Sequence, residues 1–167
     1  MDRILDCKVS PCEDGMTVLQ FLRTKGFSRH ILTSMKPDKK ALTLNGEKAG
    51  GNTVLHTGDV LHVRILEIGS CEGIVPTEME LSVLYEDEDI LVLNKASNLP
   101  VHPSIGNYEN TLANGVEAYF RSRNLICPFR CINRLDRDTS GALILAKNAL
   151  SAAILSAQMR NREIRRT

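Results

Sequence analysis

The sequence predicts an α+β chain built as two units, and three observations carry that reading. Within the first 66 residues, two short helical patterns are followed by two strong turn signals and an apolar strand. Between Glu67 and Glu80 the composition shifts to a stretch holding Gly69, Ser70, Gly73 and Pro76, the marks of an extended linker. From Leu81 onward come two strands, a helix, a polar loop, a third strand and a final helix. The expected organisation is therefore a small α/β unit over 1–66, a linker over 67–80 and a second unit over 81–167.

In the first unit the pattern becomes regular from about Cys7. Val18, Leu19, Phe21 and Leu22 form an amphipathic helix after Gly15, ended by Gly26, and Ser28 caps a second helix bearing Ile31, Leu32 and Met35. Leu42-Thr43-Leu44 runs into Asn45-Gly46, a dipeptide suited to tight hairpins because both residues tolerate positive φ, and Gly58-Asp59 precedes the apolar strand Val60 to Ile65.

In the second unit, Leu81 to Tyr85 and Ile90 to Asn94 read as strands around the acidic turn Glu86-Asp87-Glu88-Asp89. Consecutive carboxylates in a turn point in diverging directions and lack the spacing of a calcium loop, so a solvated turn is expected rather than a metal site. Thr111 to about Asn124 reads as a helix. Leu150, Ile154 and Ala157 recur at helical spacing, which predicts a last helix over Ala149 to Asn161 packed on the sheet. Its tail carries Arg160, Arg162, Arg165 and Arg166, cations that suit either the helix dipole or a polyanion.

Composition narrows the function classes. With 167 residues, 43% hydrophobic and 25% charged, the chain is of ordinary globular type. No apolar run approaches a membrane span, and the start Met1-Asp2-Arg3-Ile4 lacks the form of a signal peptide, so a soluble cytoplasmic protein is the expectation. Five cysteines, at 7, 12, 71, 127 and 131, lack the paired spacing of a zinc site and read as reduced thiols; His30, His56 and His62 show no ligand spacing either. The net charge of +1 conceals a segregation: ten Lys/Arg against seven Asp/Glu up to Arg64, one against ten from Leu66 to Tyr119, and ten against three from Phe120 onward. Basic ends flank an acidic middle, so phosphate contacts would be local rather than a property of the whole molecule.

The most informative stretch is Asn133-Arg134-Leu135-Asp136-Arg137-Asp138-Thr139-Ser140-Gly141, followed by the apolar Ala142 to Ala146 and Lys147. It reads as a polar loop feeding a buried strand, a way to hold a reactive side chain rigidly at a sheet edge. An Asp two residues after an Arg is by itself usually a surface ion pair. The whole run, however, resembles the signature of the RluA-type RNA pseudouridine synthases: His-Arg-Leu-Asp, two variable residues, Thr-Ser-Gly, an apolar strand and Ala-Lys. The chain matches at Arg134, Leu135, Asp136, Thr139, Ser140, Gly141, Ala146 and Lys147, and carries Asn133 where the family usually has histidine. Asparagine can hold such a loop through its amide, and the family's chemistry is assigned to the aspartate. Upstream, Asn94-Lys95, Val101-His102-Pro103 and Asn110-Thr111-Leu112 look like the family's entry into its catalytic domain. His102, beside a proline turn, is read as structural.

The first unit in turn looks like the S-four-type RNA-binding domain, named after a ribosomal protein. That resemblance implies that the helix pair presents basic side chains to RNA, here drawn from Arg23, Lys25, Arg29, Lys36, Lys39 and Lys40, through phosphate neutralisation without sequence readout. An ordinary solvated lysine face is the competing reading.

Pseudouridine formation breaks the bond from ribose to the base nitrogen and rejoins ribose to a ring carbon of the same base. It needs no redox step and no energy donor, so neither metal nor organic cofactor is expected. The base must be extracted from its stack, and a carboxylate must stand beside the sugar, either to attack the anomeric carbon or to stabilise charge and remove a sugar proton. The resemblance assigns that role to Asp136 and implies that Arg134 fills the gap left by the flipped base or grips the adjoining phosphate. Asp138 is given only a solvated or loop-capping role. The expected partner is structured RNA, ribosomal or transfer, and no membrane. In this sequence the resemblance runs out at Arg162-Glu163-Ile164-Arg165-Arg166-Thr167, before a tyrosine and an arginine-rich segment that the family uses, which implies an incomplete catalytic domain of mixed-sheet type, aggregation-prone or dependent on a partner. An RNA-binding module without catalysis is the alternative; a metal-dependent hydrolase built on the acidic turn ranks far behind.

Overall fold

Two positive-φ turns shape the front of the chain. In the computed structural model, which describes residues 3–38, 40–67, 73–106 and 108–165, Asn45 and Gly46 adopt φ of 51° and 87°. That is the primed geometry whose twist matches a tight hairpin. The Asn45 amide donates to Asp59 Oδ1 (2.8 Å) and accepts from Val60 N (2.9 Å), so the two turn signals of the sequence brace one another.

The chain divides between Glu67 and Ile68. The first unit holds β1 (Arg3–Lys8), α1 (Val18–Thr24), α2 (Arg29–Ser34), β2 (Leu42–Leu44), β3 (Glu47–Lys48) and β4 (Val60–Ile65). Its sheet runs in the order β1-β4-β2-β3, with every neighbour antiparallel. Thr17 caps α1 in a box with Gln20, whose side chain accepts from Thr17 N at 2.9 Å. Gly26, at φ 90°, closes the helix: Phe27 N donates to Leu22 O and Gly26 N to Arg23 O, which satisfies the last carbonyls. Ser28 caps α2 by accepting from Ile31 N. Val18, Phe21, Leu22, Ile31, Leu55, Leu61 and Val63 meet in the core, all buried.

Strand β1 is absent from the sequence reading, which found regularity only from Cys7. Its alternation is blurred because an inward position holds Arg3 while the outward Ile4 is 53% exposed. Pairing with β4, from Arg3↔Ile65 to Lys8↔Val60, makes it a strand regardless of its weak pattern.

The second unit holds β5 (Val83–Glu86), β6 (Ile90–Lys95), α3 (Leu112–Ser122), β7 (Gly141–Ala146) and α4 (Ala149–Arg160). The strands form an antiparallel sheet in the order β5-β6-β7. Leu91, Leu93, Leu143 and Leu145 pack with Leu112, Val116, Phe120 and Cys127 of the α3 side to form the core. The observed class is α+β, as expected.

Two expectations need correction. The stretch read as linker has neither helix nor strand from Gly73 to Ser82, yet part of it is docked: Asn114 Nδ2 donates to Val75 O (2.7 Å), Thr77 N donates to Asn114 O (3.1 Å), and Met79 presses against Gly115. A Cβ at position 115 would lie 2.5 Å from Met79 Sδ and 3.3 Å from Leu81 Cδ2, so any side chain there requires Met79 to move. The acidic turn is not merely solvated. Asp87 accepts from Asp89 N, Ile90 N and the Tyr85 hydroxyl; Glu86 accepts from Tyr119 and Lys147; Asp89 accepts from Asn148 and Ser151 at the start of α4. Burial alone would raise the Glu86 pKa, but the bonds from Tyr119 and Lys147 hold it below the ordinary value. Among the described residues no group of His, Cys, Asp or Glu is gathered as metal ligands, and no helix is long and apolar enough to cross a membrane.

Candidate active site

The site is built where the chain leaves the sheet beside β7. Arg130 to Ile132 runs along β7 with strand-like bonds, Ala146 N to Arg130 O (2.9 Å) and Ile132 N to Ile144 O (2.8 Å). Where the backbone then diverges, the Asn133 side chain continues the ladder. Its Oδ1 accepts from Ile144 N at 2.8 Å and its Nδ2 donates to Ala142 O at 3.0 Å. Asn133 is buried, so both bonds are made away from water. The amide thus performs the loop-holding task anticipated from the sequence.

The next three residues alternate. Leu135 is half-buried against the core, while Arg134 and Asp136 on either side of it are exposed. Neither side chain makes a hydrogen bond or ion pair among the described residues. A β-turn follows, with Thr139 N donating to Asp136 O (3.1 Å).

What fixes this turn is a residue to which the sequence reading gave no role. Lys95, at the end of β6, is only 1% exposed, and its Nζ donates to Ala96 O (2.8 Å), Leu99 O (2.9 Å) and Arg137 O (2.8 Å). Ser97 Oγ donates to Asp138 O, Leu99 N to Arg137 O, and Arg137 Nε to Asn98 Oδ1. Burial lowers the Lys95 pKa, and Asp138 and Asp136 oppose that by Coulomb attraction. The available signal was a lysine closing an otherwise apolar strand, a position where a charge must find carbonyls or leave the core.

Beside the loop, the His102 ring meets Phe129 edge-on at 4.8 Å. Burial, with Arg134 nearby, pushes the imidazole below its ordinary pKa, so it is neutral at physiological pH. Cys131 donates to Asn133 O at 2.7 Å, and burial pushes its thiol up to about 11, which keeps it protonated and unreactive. The Asp138 side chain is exposed.

The basic residues expected to meet RNA separate into groups. Arg23, Arg29 and Lys36 line one open cleft of about 570 Å³ in the first unit. Lys25 does not join them: its Nζ lies 2.7 Å from Glu13 Oε1 and over the Phe21 ring. Lys40 is exposed outside the cleft lining, and Lys39 lies outside the described residues. Lys48, on β3, lines the cleft and was not anticipated.

The family model described as RNA pseudouridylate synthase matches residues 89–167, the part that carries this loop. An uncharacterized RNA pseudouridine synthase of Bacillus subtilis, YjbO, is 33% identical over 151 residues, 90% of this chain and 53% of its own. A second from that organism, YhcT, is 29% identical over 99% of this chain and 54% of its own. The ribosomal large subunit pseudouridine synthase D of Xanthomonas campestris is 34% identical over 84% of this chain and 42% of its own. The chain therefore spans about half the length of the curated relatives it matches. A shared family model over the loop-bearing segment, with relatives aligned along most of the chain, shows that this chain is similar to the RNA pseudouridine synthases of RluA type.

Proposed function

We propose that this chain contributes the catalytic carboxylate and the first RNA contacts of an enzyme that isomerises uridine to pseudouridine in structured RNA, with ribosomal RNA the favoured substrate. The observation that carries the reading is the state of Asp136. Its carboxylate is exposed and makes no hydrogen bond or ion pair among the described residues, on a turn stapled by a buried lysine and beside Arg134, whose side chain likewise makes none there. A surface ion pair would have brought Asp136 and Arg134 together; their independence leaves each free for substrate.

In this reading Asp136 works at the ribose while the bond to the base nitrogen breaks and the bond to the ring carbon forms. The guanidinium of Arg134 takes the gap of the extracted base or its phosphate, a task suited to a planar permanent cation. Neutral His102 and protonated Cys131 are bystanders that shape the surroundings. That the pseudouridine synthase of Xanthomonas is named for the large ribosomal subunit supports ribosomal RNA as substrate.

The test is chemical mapping of pseudouridine in unmodified ribosomal and transfer RNA transcripts after exposure to the chain, beside Asp136→Ala. Product that requires Asp136 supports the proposal; product made equally by both proteins overturns the assignment. A second reading, RNA binding without catalysis, is favoured by Arg23, Arg29, Lys36 and Lys48 of the first unit, which line one cleft, make no ion pair among the described residues and do not depend on Asp136. It is distinguished by RNA binding with no product from either protein.

A further inference from the structure

The cleft of the first unit has a composition that phosphate neutralisation alone does not require. Its rim holds four cations, Arg23, Arg29, Lys36 and Lys48, and none has an ion-pair partner among the described residues. The one carboxylate among its described lining residues, Asp38, accepts from Lys40 N at 2.9 Å through Oδ1, while its Oδ2 lies 3.9 Å from Arg64 without a hydrogen bond. The floor is apolar. Leu22 is fully buried there, while Leu19, Leu32 and Leu42 remain half-buried and offer methyl groups to the opening. Gly50 and Gly51 form part of the wall, and Gly51 O accepts from Leu19 N at 2.9 Å, which binds that wall to the start of α1.

We infer that this cleft receives one unstacked nucleotide of a single-stranded RNA segment, its base on the leucine floor and its phosphates on the cationic rim. The inference rests on RNA being the ligand, as in the proposed function, and adds the form in which RNA is held. A regular duplex keeps its bases stacked inside and shows phosphates on a convex surface, so a concave apolar floor would contribute nothing to binding it. A nucleotide freed from the stack presents both an apolar face and an anion. About 570 Å³ is within the range of roughly 300–1,000 Å³ for clefts that accept a small organic molecule. Among the described residues no aromatic side chain lines the cleft. The base would therefore rest on aliphatic groups, with the guanidinium planes of Arg23 and Arg29 available for stacking. An acidic peptide would match the rim, but its carboxylates would leave the floor uncovered.

The test uses the whole chain with leucine methyl groups labelled for NMR. It is titrated with a single-stranded uridine decamer and, separately, with a ten-base-pair RNA duplex. The decamer is expected to bind about tenfold more tightly than the duplex and to shift the methyl signals of Leu19, Leu32 and Leu42. Leu32→Glu should abolish that preference while leaving weak, salt-sensitive duplex binding. Lys48→Glu, on an exposed strand where folding is not at risk, should weaken both probes. Unmoved leucine methyls, equal affinity for the two RNAs, or equal competition by a hexaglutamate peptide would overturn the inference. Pseudouridine mapping is scored separately, so product formed without a single-strand preference rejects the cleft and spares the enzyme reading.

Discussion

The Nζ of Lys95 lies 2.8 Å from the carbonyl oxygen of Arg137, one residue beyond the aspartate proposed to do the chemistry. A charge at the end of one strand thereby sets the shape of a loop 42 residues later in sequence. Replacing Lys95 by Met keeps the length and removes three hydrogen bonds, leaving the carbonyls of Ala96, Leu99 and Arg137 short of a donor. Lys95→Met should cost about 2–4 kcal/mol in urea unfolding and loosen the loop that carries Asp136.

Asp136→Asn should do the opposite. Among the described residues the carboxylate makes no hydrogen bond or ion pair, and only a through-space attraction to Lys95 is lost, so stability should stay within about 0.5 kcal/mol. Isomerisation, in contrast, should fall by at least about a thousandfold. A melting curve and a product assay on one preparation check both halves; a large loss of stability would mean that Asp136 serves the fold.

Asn133 tests the margin of the loop. Its amide completes two backbone groups of β7, at Ala142 and Ile144. Asn133→Ala strands both, and hydrogen exchange of the Ile144 amide should accelerate along with a loss of about 2–3 kcal/mol in denaturant unfolding.

Gly115 and Met79 should prove coupled. In a helix, Gly→Ala ordinarily gains about 1 kcal/mol, but here the new methyl would meet Met79 at 2.5 Å. Gly115→Ala should therefore be more favourable in a Met79→Ala background, where only the Leu81 methyl at 3.3 Å has to yield, than alone, as a double-mutant cycle would read out. Additive effects would mean that the stretch before β5 is not docked on α3.

Acid should weaken the first unit through Glu13. Hydrogen bonds from Lys25 and Ser10 hold its carboxyl at about 2, below the ordinary 4.5. Between those values the unfolded chain binds more protons than the folded one, so stability is present above about 4.5 and is lost as pH falls toward 2. Glu13→Gln should flatten that part of the pH profile, measured by unfolding at several pH values.

Local signals located most of the fold. Thr17, Ser28 and Asn45-Gly46 act within a few residues of themselves, and caps and turns of that kind are legible in a sequence because their partners are adjacent. Asp136 and Arg134 were singled out by the contiguous signature around them. The features missed depend on distant partners. β1 is a strand because β4 lies beside it, Lys25 is occupied because Glu13 folds back to it, and Lys48 reaches the cleft only once β3 is paired. The acidic turn belongs to the same class, since the groups that engage Glu86 and Asp89 come from α3 and the β7–α4 junction.

The three-stranded sheet also has two chemically different ends. β6 and β7 both run between the carboxylates of Glu86 to Asp89, near Ile90 and Ala146, and the arginine-bearing loop near Lys95 and Gly141. Six residues of strand separate the two by roughly 17 Å, about twice the distance over which physiological salt screens a charge. The two ends are consequently electrostatically independent, so neutralising the carboxylates of the turn would leave the field at Arg134 and Asp136 unchanged.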